Sequence, residues 1–236
     1  MPKAVVCLPT YNERENLEPM LRALADKHVQ VLVIDDNSPD GTGEIADRLA
    51  AELDFVSVLH RERKEGLGPA YLAGFRRALS DGADLILEMD CDFSHNPNDV
   101  PRLIAAAADA DLVLGSRYVT GGAVRNWGLL RRVVSAGGSW YARVLLGAPV
   151  HDLTGGFKCY RRRVLETIDL DAIDSKGYAF QIETTYRTLR AGFRVVEVPI
   201  TFVDREAGGS KMSRAIVAEA IWKVPALRLA ALTGRL

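Results

Sequence analysis

Two aspartates separated by one residue, Asp90 and Asp92, follow the apolar run in the segment DLILEMDCD. A strand period of two places both carboxylates on one side, with Glu88 behind them. Carboxylate oxygens favour hard cations such as Mg²⁺ or Mn²⁺, which bind most readily when a substrate phosphate completes the ligand shell. The pair therefore predicts a metal-dependent phosphate site, although a DxD pattern by itself is also typical of a solvated acidic turn.

Three other loops carry groups that suit a nucleotide. Tyr11 offers a ring for stacking on a base, Glu13 offers a carboxylate for a ribose hydroxyl, and Asp36 stands in the turn-rich segment DDNSPDGT. Gly66 and Gly68 permit close approach of the backbone to a ligand. Each feature has a plainer interpretation as a surface tyrosine beside a helix cap, an acidic turn or a tight glycine turn, so position has to decide.

Basic side chains cluster in the second half of the chain. The candidates are Arg117, Arg125, Arg131, Arg132, Arg205 and Lys211. A planar guanidinium matches phosphate oxygens bidentately, and a Gly-rich segment bearing Arg and Lys can fold over a diphosphate. The alternative is that these are ordinary solvated residues of an amphipathic helix.

The elements that position these residues alternate between apolar strands and amphipathic helices. Continuous apolar runs at 4–8 and 29–35 predict buried strands, and the leucine spacing in 13–24 predicts a helix that Asn12 caps. This alternation predicts an α/β fold with a mostly parallel central sheet and helices on both faces. Ligands of such sheets bind beyond the carboxyl ends of the strands, where the acidic loops fall. The second half is less regular, and the stretch that ends at Gly147 predicts no clear element.

Length and composition bound the remaining possibilities. The 236 residues carry 30 Lys and Arg against 31 Asp and Glu, so no global field favours nucleic acid. The cysteines, Cys7, Cys91 and Cys159, match neither a disulfide framework nor a zinc signature, which indicates a reducing compartment. With no signal-peptide pattern and no spanning segment, we expect a cytosolic chain with one domain over 1–213 and an extension over 214–236.

Eight motifs carry a resemblance to a known family. In chain order they are PTYNERENL, VIDDNSPDGT, KEGLGPAY, MDCDFSHNP, GSRY, DLTGGFKCY, KGYAFQIE and VPITFVDREAGGSK. Together they resemble the polyprenol (dolichol) monophosphate mannose synthases, which are family 2 glycosyltransferases with the GT-A fold. The resemblance extends from Lys3 to Ser213 and implies inverting transfer of mannose from GDP-mannose to a polyprenyl phosphate.

The resemblance also implies a donor site. The implied nucleotide-sugar ligands are Pro9, Tyr11, Glu13, Ile34, Asp36, Asp90, Cys91, Asp92, Arg205 and Lys211. Asp90 and Asp92, with Ser94, would hold Mg²⁺ or Mn²⁺. Arg205 and Lys211 would close over the diphosphate. Cys91 replaces the Ala that is common between the two aspartates, and its similar size leaves the metal assignment unchanged.

A separate set is implied for the acceptor. Arg117, Arg131 and Ser135 would hold its phosphate, and the two arginines join the two aspartates as the catalytic residues. A phosphate monoester has a second pKa of about 6, so it arrives largely ionised and needs no protein general base. The protein would then act by holding two mutually repelling anions close together.

Other functions fit the sequence less well. The nearest alternative makes polyprenyl phosphate glucose from UDP-glucose, and the SHNP and DREAGGSK segments favour mannose over it. A dinucleotide-binding oxidoreductase needs G-x-G-x-x-G after the first strand, which PTYNERE lacks, and there is no P-loop. A DxD phosphatase would place its aspartates after the first strand, not the fourth. The non-enzymatic alternative is an inactive sugar-nucleotide-binding module in a membrane complex.

The segment 214–236 is the candidate for membrane contact. It is mostly apolar, but its charges are too many and too evenly spread for a free spanning helix, and Pro225 should break or kink any helix there. Trp222, Lys223 and Arg228 suit a segment lying in the headgroup region. We therefore expect peripheral contact on the cytosolic face of a membrane. A separate membrane-anchor subunit and packing of the segment on the protein's own sheet both stay open.

Overall fold

Parallel strands form the centre of the computed structural model, which describes residues 2–175, 177–204, 214–234 and 236. In chain order the strands are β1 (Ala4–Thr10), β2 (Gln30–Asp35), β3 (Val56–His60), β4 (Leu85–Glu88), β5 (Leu112–Ser116), β6 (Ala123–Arg125), β7 (Lys158–Arg161), β8 (Val195–Pro199) and β9 (Thr201–Val203). The central sheet has the order β3-β2-β1-β4-β7-β5-β8, and β6 pairs with β9 in a separate ribbon. Its pairings are parallel except those of β7, which runs antiparallel to β4 and β5. The predicted mostly parallel sheet is confirmed.

Helices cover both faces of the sheet, as predicted. They are α1 (Leu17–Leu24), α2 (Thr42–Glu52), α3 (Leu67–Ser80), α4 (Val100–Ala106), α5 (Leu129–Leu146), α6 (Arg162–Thr167), α7 (Gly177–Arg190) and α8 (Arg214–Leu232). Alternate residues of β1 separate two buried clusters. Val5 and Cys7 pack on the side of α3 and α7, whereas Val6 and Leu8 pack on the side of α1, α2 and α4. Burial of both faces explains why the strands are continuous apolar runs.

The direction of β7 decides which loops meet at the carboxyl edge. Because β7 is antiparallel to β4, its first residue, Lys158, pairs with the last residue of β4, Glu88. The preceding loop, residues 151–157, therefore lies at the same edge as the loops that follow β1, β2 and β4. Two segments far apart in sequence are brought together in this way.

Several local expectations are wrong. Asn12 does not cap α1, because it has a left-handed backbone (φ 58°) and the helix begins after Asn16. The strand before the aspartate pair ends at Glu88, so Asp90 and Asp92 lie in a loop and the period-two argument does not apply to them. The segment 195–203, expected as one strand, divides between two sheets at Ile200, whose N–H donates to Ser116 of β5 and whose carbonyl accepts from Ala123 of β6.

The C-terminal helix α8 packs on the rest of the protein. Val224 and Leu227 belong to the buried cluster beside α7, and Tyr141 of α5 donates a hydrogen bond to the carbonyl of Ile221 (3.0 Å). The helix continues through Pro225, so the break that the sequence offered as one outcome there does not occur. These contacts favour the alternative in which the segment packs on its own domain. Within the described ranges, no helix is both long enough and apolar enough to span a bilayer.

Candidate active site

The loop after β2 separates two adjacent aspartates into different roles. Asp35 is buried, and its carboxylate accepts hydrogen bonds from the Ser38 backbone N–H (3.1 Å) and hydroxyl (2.6 Å). It therefore shapes the loop. The backbone N–H of Asp36 donates to the carbonyl of Thr10, which holds this loop beside the one after β1.

Asp36 has a cationic neighbour. Arg61, from the loop after β3, lies 2.5 Å from its carboxylate, and it also pairs with Glu65 at 2.7 Å. Burial raises the pKa of Asp36, and the charge and hydrogen bond of Arg61 partly oppose that shift. The carboxylate that the resemblance assigns to the nucleoside is thus held by the protein beforehand.

Tyr11 and Glu13 lie at the same edge. The Lys64 ammonium sits 3.8 Å from the centre of the Tyr11 ring, in a cation–π contact. Glu13 is buried and accepts a hydrogen bond from the Asn16 side chain (2.8 Å). A base that stacks on the ring face now under Lys64 would displace the ammonium. Pro9, within β1, pairs with Ile34 of β2.

The Ile34 side chain does not reach this edge. It is fully buried in the cluster beneath α3. A Cβ added at Gly74 would lie 2.5 Å from the Ile34 Cδ1, which shows how closely α3 covers it. Its side chain is therefore not placed to contact a nucleotide at this edge.

The aspartate pair lies in a tight loop after β4. Asp92 accepts a hydrogen bond from the backbone N–H of Ser94 (3.0 Å), and the Tyr71 hydroxyl lies 3.4 Å from the Asp90 carboxylate. Cys91 is buried in the cluster on the α1 side of the sheet, consistent with a small packing residue. Phe93 has a left-handed backbone (φ 59°), so the chain turns sharply just beyond the pair.

The oxygen atoms of this loop suit a hard cation. The buried hydroxyl of Ser94 has no hydrogen-bond partner in the described part of the chain, and two residues before it stands the Asp92 carboxylate. The described residues contain no group of three or more His, Cys, Asp or Glu that could enclose a metal by themselves. Two carboxylates and a hydroxyl instead fit Mg²⁺ or Mn²⁺ that takes its other ligands from a substrate phosphate.

His95 is a buried member of this loop that the sequence analysis did not select. Its Nδ1 accepts a hydrogen bond from the backbone N–H of Asp90 (3.2 Å), and its ring stacks on Phe157, with centroids 4.9 Å apart. Burial lowers the pKa of His95 to about 4, so the ring is neutral near pH 7. Its position in the MDCDFSHNP motif was the available signal.

Arg117 forms a fully buried ion pair on the other side of the site. Its Nε and Nη2 each lie 2.7 Å from an oxygen of Asp152, and Nη2 also donates to the Thr154 hydroxyl (2.8 Å). Burial lowers the pKa of Arg117, but the Asp152 charge outweighs burial and leaves that pKa raised. The third nitrogen, Nη1, has no hydrogen-bond partner among the residues that the structure describes.

Arg131 and Ser135 join Arg117 through aromatic neighbours. Arg131 lies 4.3 Å from the Trp127 ring and 2.7 Å from a carboxylate oxygen of Asp204. The Tyr118 hydroxyl donates to Ser135 (2.8 Å). The guanidinium of Arg117 lies 5.1 Å from the Tyr118 ring and 5.7 Å from the Trp127 ring. The three predicted acceptor residues are thus brought into one cluster.

Tyr178 is a partly buried tyrosine whose pKa responds to charges of the acidic loop and of the basic cluster. It stands in the first turn of α7, and burial is the main cause that raises its pKa. The charges of Arg117 and Arg131 lower this pKa, and the charge of Asp90 raises it. Tyr178 belongs to the KGYAFQIE motif, but it was not among the site residues predicted from the sequence. Arg205 and Lys211 lie outside the described residues, and their role stays a prediction.

Comparison with known proteins identifies the family. The sequence model of glycosyl transferase family 2 matches residues 5–169. The chain belongs to this family. It is 54% identical to the polyprenol monophosphomannose synthase of Mycolicibacterium smegmatis over 94% of this chain and 85% of that protein. It is 53% identical to the undecaprenyl-phosphate mannosyltransferase of Micrococcus luteus over 97% of this chain and 95% of that one. The protein is therefore a glycosyltransferase.

Solved structures share the fold of this family 2 glycosyltransferase. Glucosyl-3-phosphoglycerate synthase from Mycobacterium tuberculosis, in complex with Mn²⁺, UDP and its product, superposes with a TM-score of 0.68 at 21% identity, covering 99% of this chain and 80% of that one. A mannosyltransferase from Pyrobaculum calidifontis in complex with GDP-Man and Mn²⁺ gives 0.61 at 16% identity, covering 99% and 74%. The GT-A-type fold expected from the motifs is confirmed.

Proposed function

We propose that this glycosyltransferase transfers mannose from GDP-mannose to a polyprenyl phosphate and releases GDP, with inversion at the anomeric carbon. The observation that carries the proposal is the two-sided build of α5. One side bears Ser135 and Ser139, both buried, and faces the basic cluster. The opposite side exposes Leu129, Val133, Trp140 and Val144. One helix therefore suits both parts of a lipid phosphate.

The donor lies on the acidic side of the cleft. In this proposal the nucleoside is surrounded by Pro9, Tyr11, Glu13, the main chain of Ile34, and Asp36. Cys91 packs beneath the diphosphate. The Pyrobaculum mannosyltransferase, which was solved with GDP-Man and Mn²⁺, supports a guanine nucleotide and a divalent metal for this fold.

Asp90, Asp92 and Ser94 would hold the metal, because one short loop carries all three of these hard oxygen ligands and the Ser94 hydroxyl has no hydrogen-bond partner among the described residues. When bound, a divalent metal supplies positive charge that offsets the charge on the departing diphosphate. Arg205 and Lys211 add cationic charge from the other side of the diphosphate in this proposal. No protein group has to remove a proton from the acceptor.

The acceptor phosphate lies against Arg117, Arg131 and Ser135. Asp152 neutralises much of the charge of Arg117, so the remaining Nη1 and the neighbouring Arg131 provide directed hydrogen bonds to phosphate. One phosphate oxygen attacks the anomeric carbon, and the bond from that carbon to GDP breaks. The work of the protein is to hold two anions in line against their repulsion.

Exposed apolar residues of α5 and α8 provide the membrane contact in this proposal. On α8, Trp222 is 78% exposed and Leu229 is 63% exposed, and on α5, Trp140 is 66% exposed. Both helices pack together, so these side chains form one membrane-facing surface in this proposal, on the cytosolic side of the bilayer. Arg132, exposed on α5, adds attraction to anionic headgroups.

The activity test uses purified protein, labelled nucleotide sugars and a short polyprenyl phosphate, with lipid extraction of the product. We expect mannosyl lipid from GDP-mannose, none from unphosphorylated polyprenol, and loss of product with a chelator that added Mg²⁺ or Mn²⁺ reverses. Preferred turnover of UDP-glucose would transfer the proposal to the glucosyl alternative. Binding of GDP-mannose without any turnover would favour an inactive binding module.

The membrane test uses vesicle sedimentation. Trp140→Glu removes a large apolar side chain from the proposed surface and should weaken vesicle binding by about tenfold or more. Ala105→Glu, an exposed position on α4 away from that surface, is the matched control and should bind vesicles like wild type. Equal binding by both variants would show that α5 does not contact the membrane.

A further inference from the structure

We propose that His95 is a positioning residue, which sets the conformation of the loop carrying Asp90 and Asp92 through its Nδ1 atom. The inference deepens the proposed function, since it rests on the metal-binding role of that loop. His95 itself is not assigned as a metal ligand or as a base.

The hydrogen bond to His95 begins where the sheet ends. β4 stops at Glu88, and the backbone N–H of Asp90 donates to the His95 Nδ1 at 3.2 Å. A nitrogen that accepts a hydrogen bond carries no proton, so the ring proton of His95 lies on Nε2. The contact closes a loop of six residues on itself, with the bond from Ser94 N–H to Asp92 inside it.

The ring is held by residues outside the loop. It stacks on Phe157 with an interplanar angle of 21° and meets the edge of Phe202 at a centroid distance of 5.3 Å. Phe157 immediately precedes β7, and Phe202 lies in β9. The two β-strands therefore fix the position of the His95 ring, and the hydrogen bond from the Asp90 N–H ties the aspartate loop to that ring.

Nδ1 and Nε2 have separable chemistry, which makes the role testable. His95→Asn keeps an oxygen acceptor near the position of Nδ1. His95→Leu introduces a side chain with almost the shape of asparagine but with no acceptor. His95→Gln places its polar group near the position of Nε2 instead. Loss of a hydrogen bond that orients a metal ligand typically weakens metal affinity by about 10- to 100-fold. We expect this loss of metal affinity in His95→Leu and His95→Gln. In His95→Asn we expect an affinity within about threefold of wild type.

Binding of Mn²⁺ in the presence of GDP, followed by calorimetry, is the first readout, and thermal unfolding of each metal-free variant is the second. If His95→Asn retains Mn²⁺ affinity and His95→Leu loses it, while both have similar thermal stability, positioning through Nδ1 is supported. Equal affinity in Asn and Leu would overturn the proposal and leave only packing. Retention by Gln alone would also overturn it, since that result would assign the role to Nε2.

Nitrogen NMR of the wild-type ring provides a test that needs neither metal nor variants. The expected signature is a neutral ring protonated at Nε2, and a ring protonated at Nδ1 would overturn the proposal. Failure of the proposed function would instead appear as an absence of mannosyl lipid with wild-type protein. The two failures are therefore distinguishable.

Discussion

Replacing Asp152 with Asn leaves the buried guanidinium of Arg117 without its counter-charge. The two side chains are 0% and 4% exposed, respectively, and are joined by two hydrogen bonds of 2.7 Å. Burial raises the pKa of Asp152, but the charge and hydrogen bonds of Arg117 outweigh it and leave the pKa lowered. The pair thus stabilises the folded protein only while both partners are charged.

The expected cost is large. Removing one partner of a buried ion pair typically costs about 3–5 kcal/mol, against a total stability of about 5–15 kcal/mol. For a domain of this size, 1 kcal/mol corresponds to about 2–4 °C, so the melting temperature should fall by about 6–20 °C. Because the folded-state pKa of Asp152 is lowered, its contribution is present above the unfolded-state value of about 3.9 and is lost as pH falls through the folded value.

A double-mutant cycle separates stability from function. Arg117→Met leaves a buried carboxylate, and Asp152→Asn leaves a buried cation, so each single variant should be destabilised. Combining them leaves neither charge, and the new Asn still accepts the bond that the Arg117 backbone N–H now makes to Asp152 (2.9 Å). The double variant should therefore be more stable than either single one.

Urea unfolding at pH 7 and lipid transfer are the two assays. The double variant should recover stability and still bind GDP-mannose, yet lose transfer to the lipid because Arg117 is absent. The buried-pair reasoning would be refuted if Asp152→Asn were as stable as wild type. It would also be refuted if the double variant were no more stable than the single variants. Full transfer by the double variant would remove Arg117 from the acceptor site.

Three further outcomes are expected. Asp92→Asn should lower lipid transfer by several orders of magnitude and weaken Mn²⁺ binding measured with GDP, and activity within a few-fold of wild type would contradict the metal assignment. Arg131→Ala should raise the KM for the acceptor while calorimetry finds GDP-mannose affinity within a few-fold, and a large loss of donor affinity would reassign that residue. Burial lowers the pKa of Lys158 to about 8, so its contribution to stability should rise with pH from about 8 to about 10.4. Urea unfolding should then find wild type gaining relative to Lys158→Met over that window, and an unchanged difference would show that Lys158 is not neutralised on folding.

Local patterns in the sequence were enough to predict the sheet and the edge where the site lies. Apolar runs of four to seven residues between amphipathic segments require parallel strands covered on both faces. Parallel strands place their carboxyl ends together, so the loops bearing Tyr11, Asp36 and Asp92 had to converge. The helix α5 was not predicted, because Gly137 and Gly138 weaken local helix propensity and its stability comes from packing.

Only the tertiary structure decided which side chains pair with one another. Asp152 is 35 residues from Arg117 in sequence, and Arg61 is 25 residues from Asp36. Periodicity constrains neighbours within one element, whereas these pairs depend on the reversed direction of β7 and on the paths of loops. The same limit applies to Ile34, whose motif position suggests a nucleotide ligand. Its side chain turns into the core because strand residues alternate between faces, and which face α3 covers is set by long-range packing.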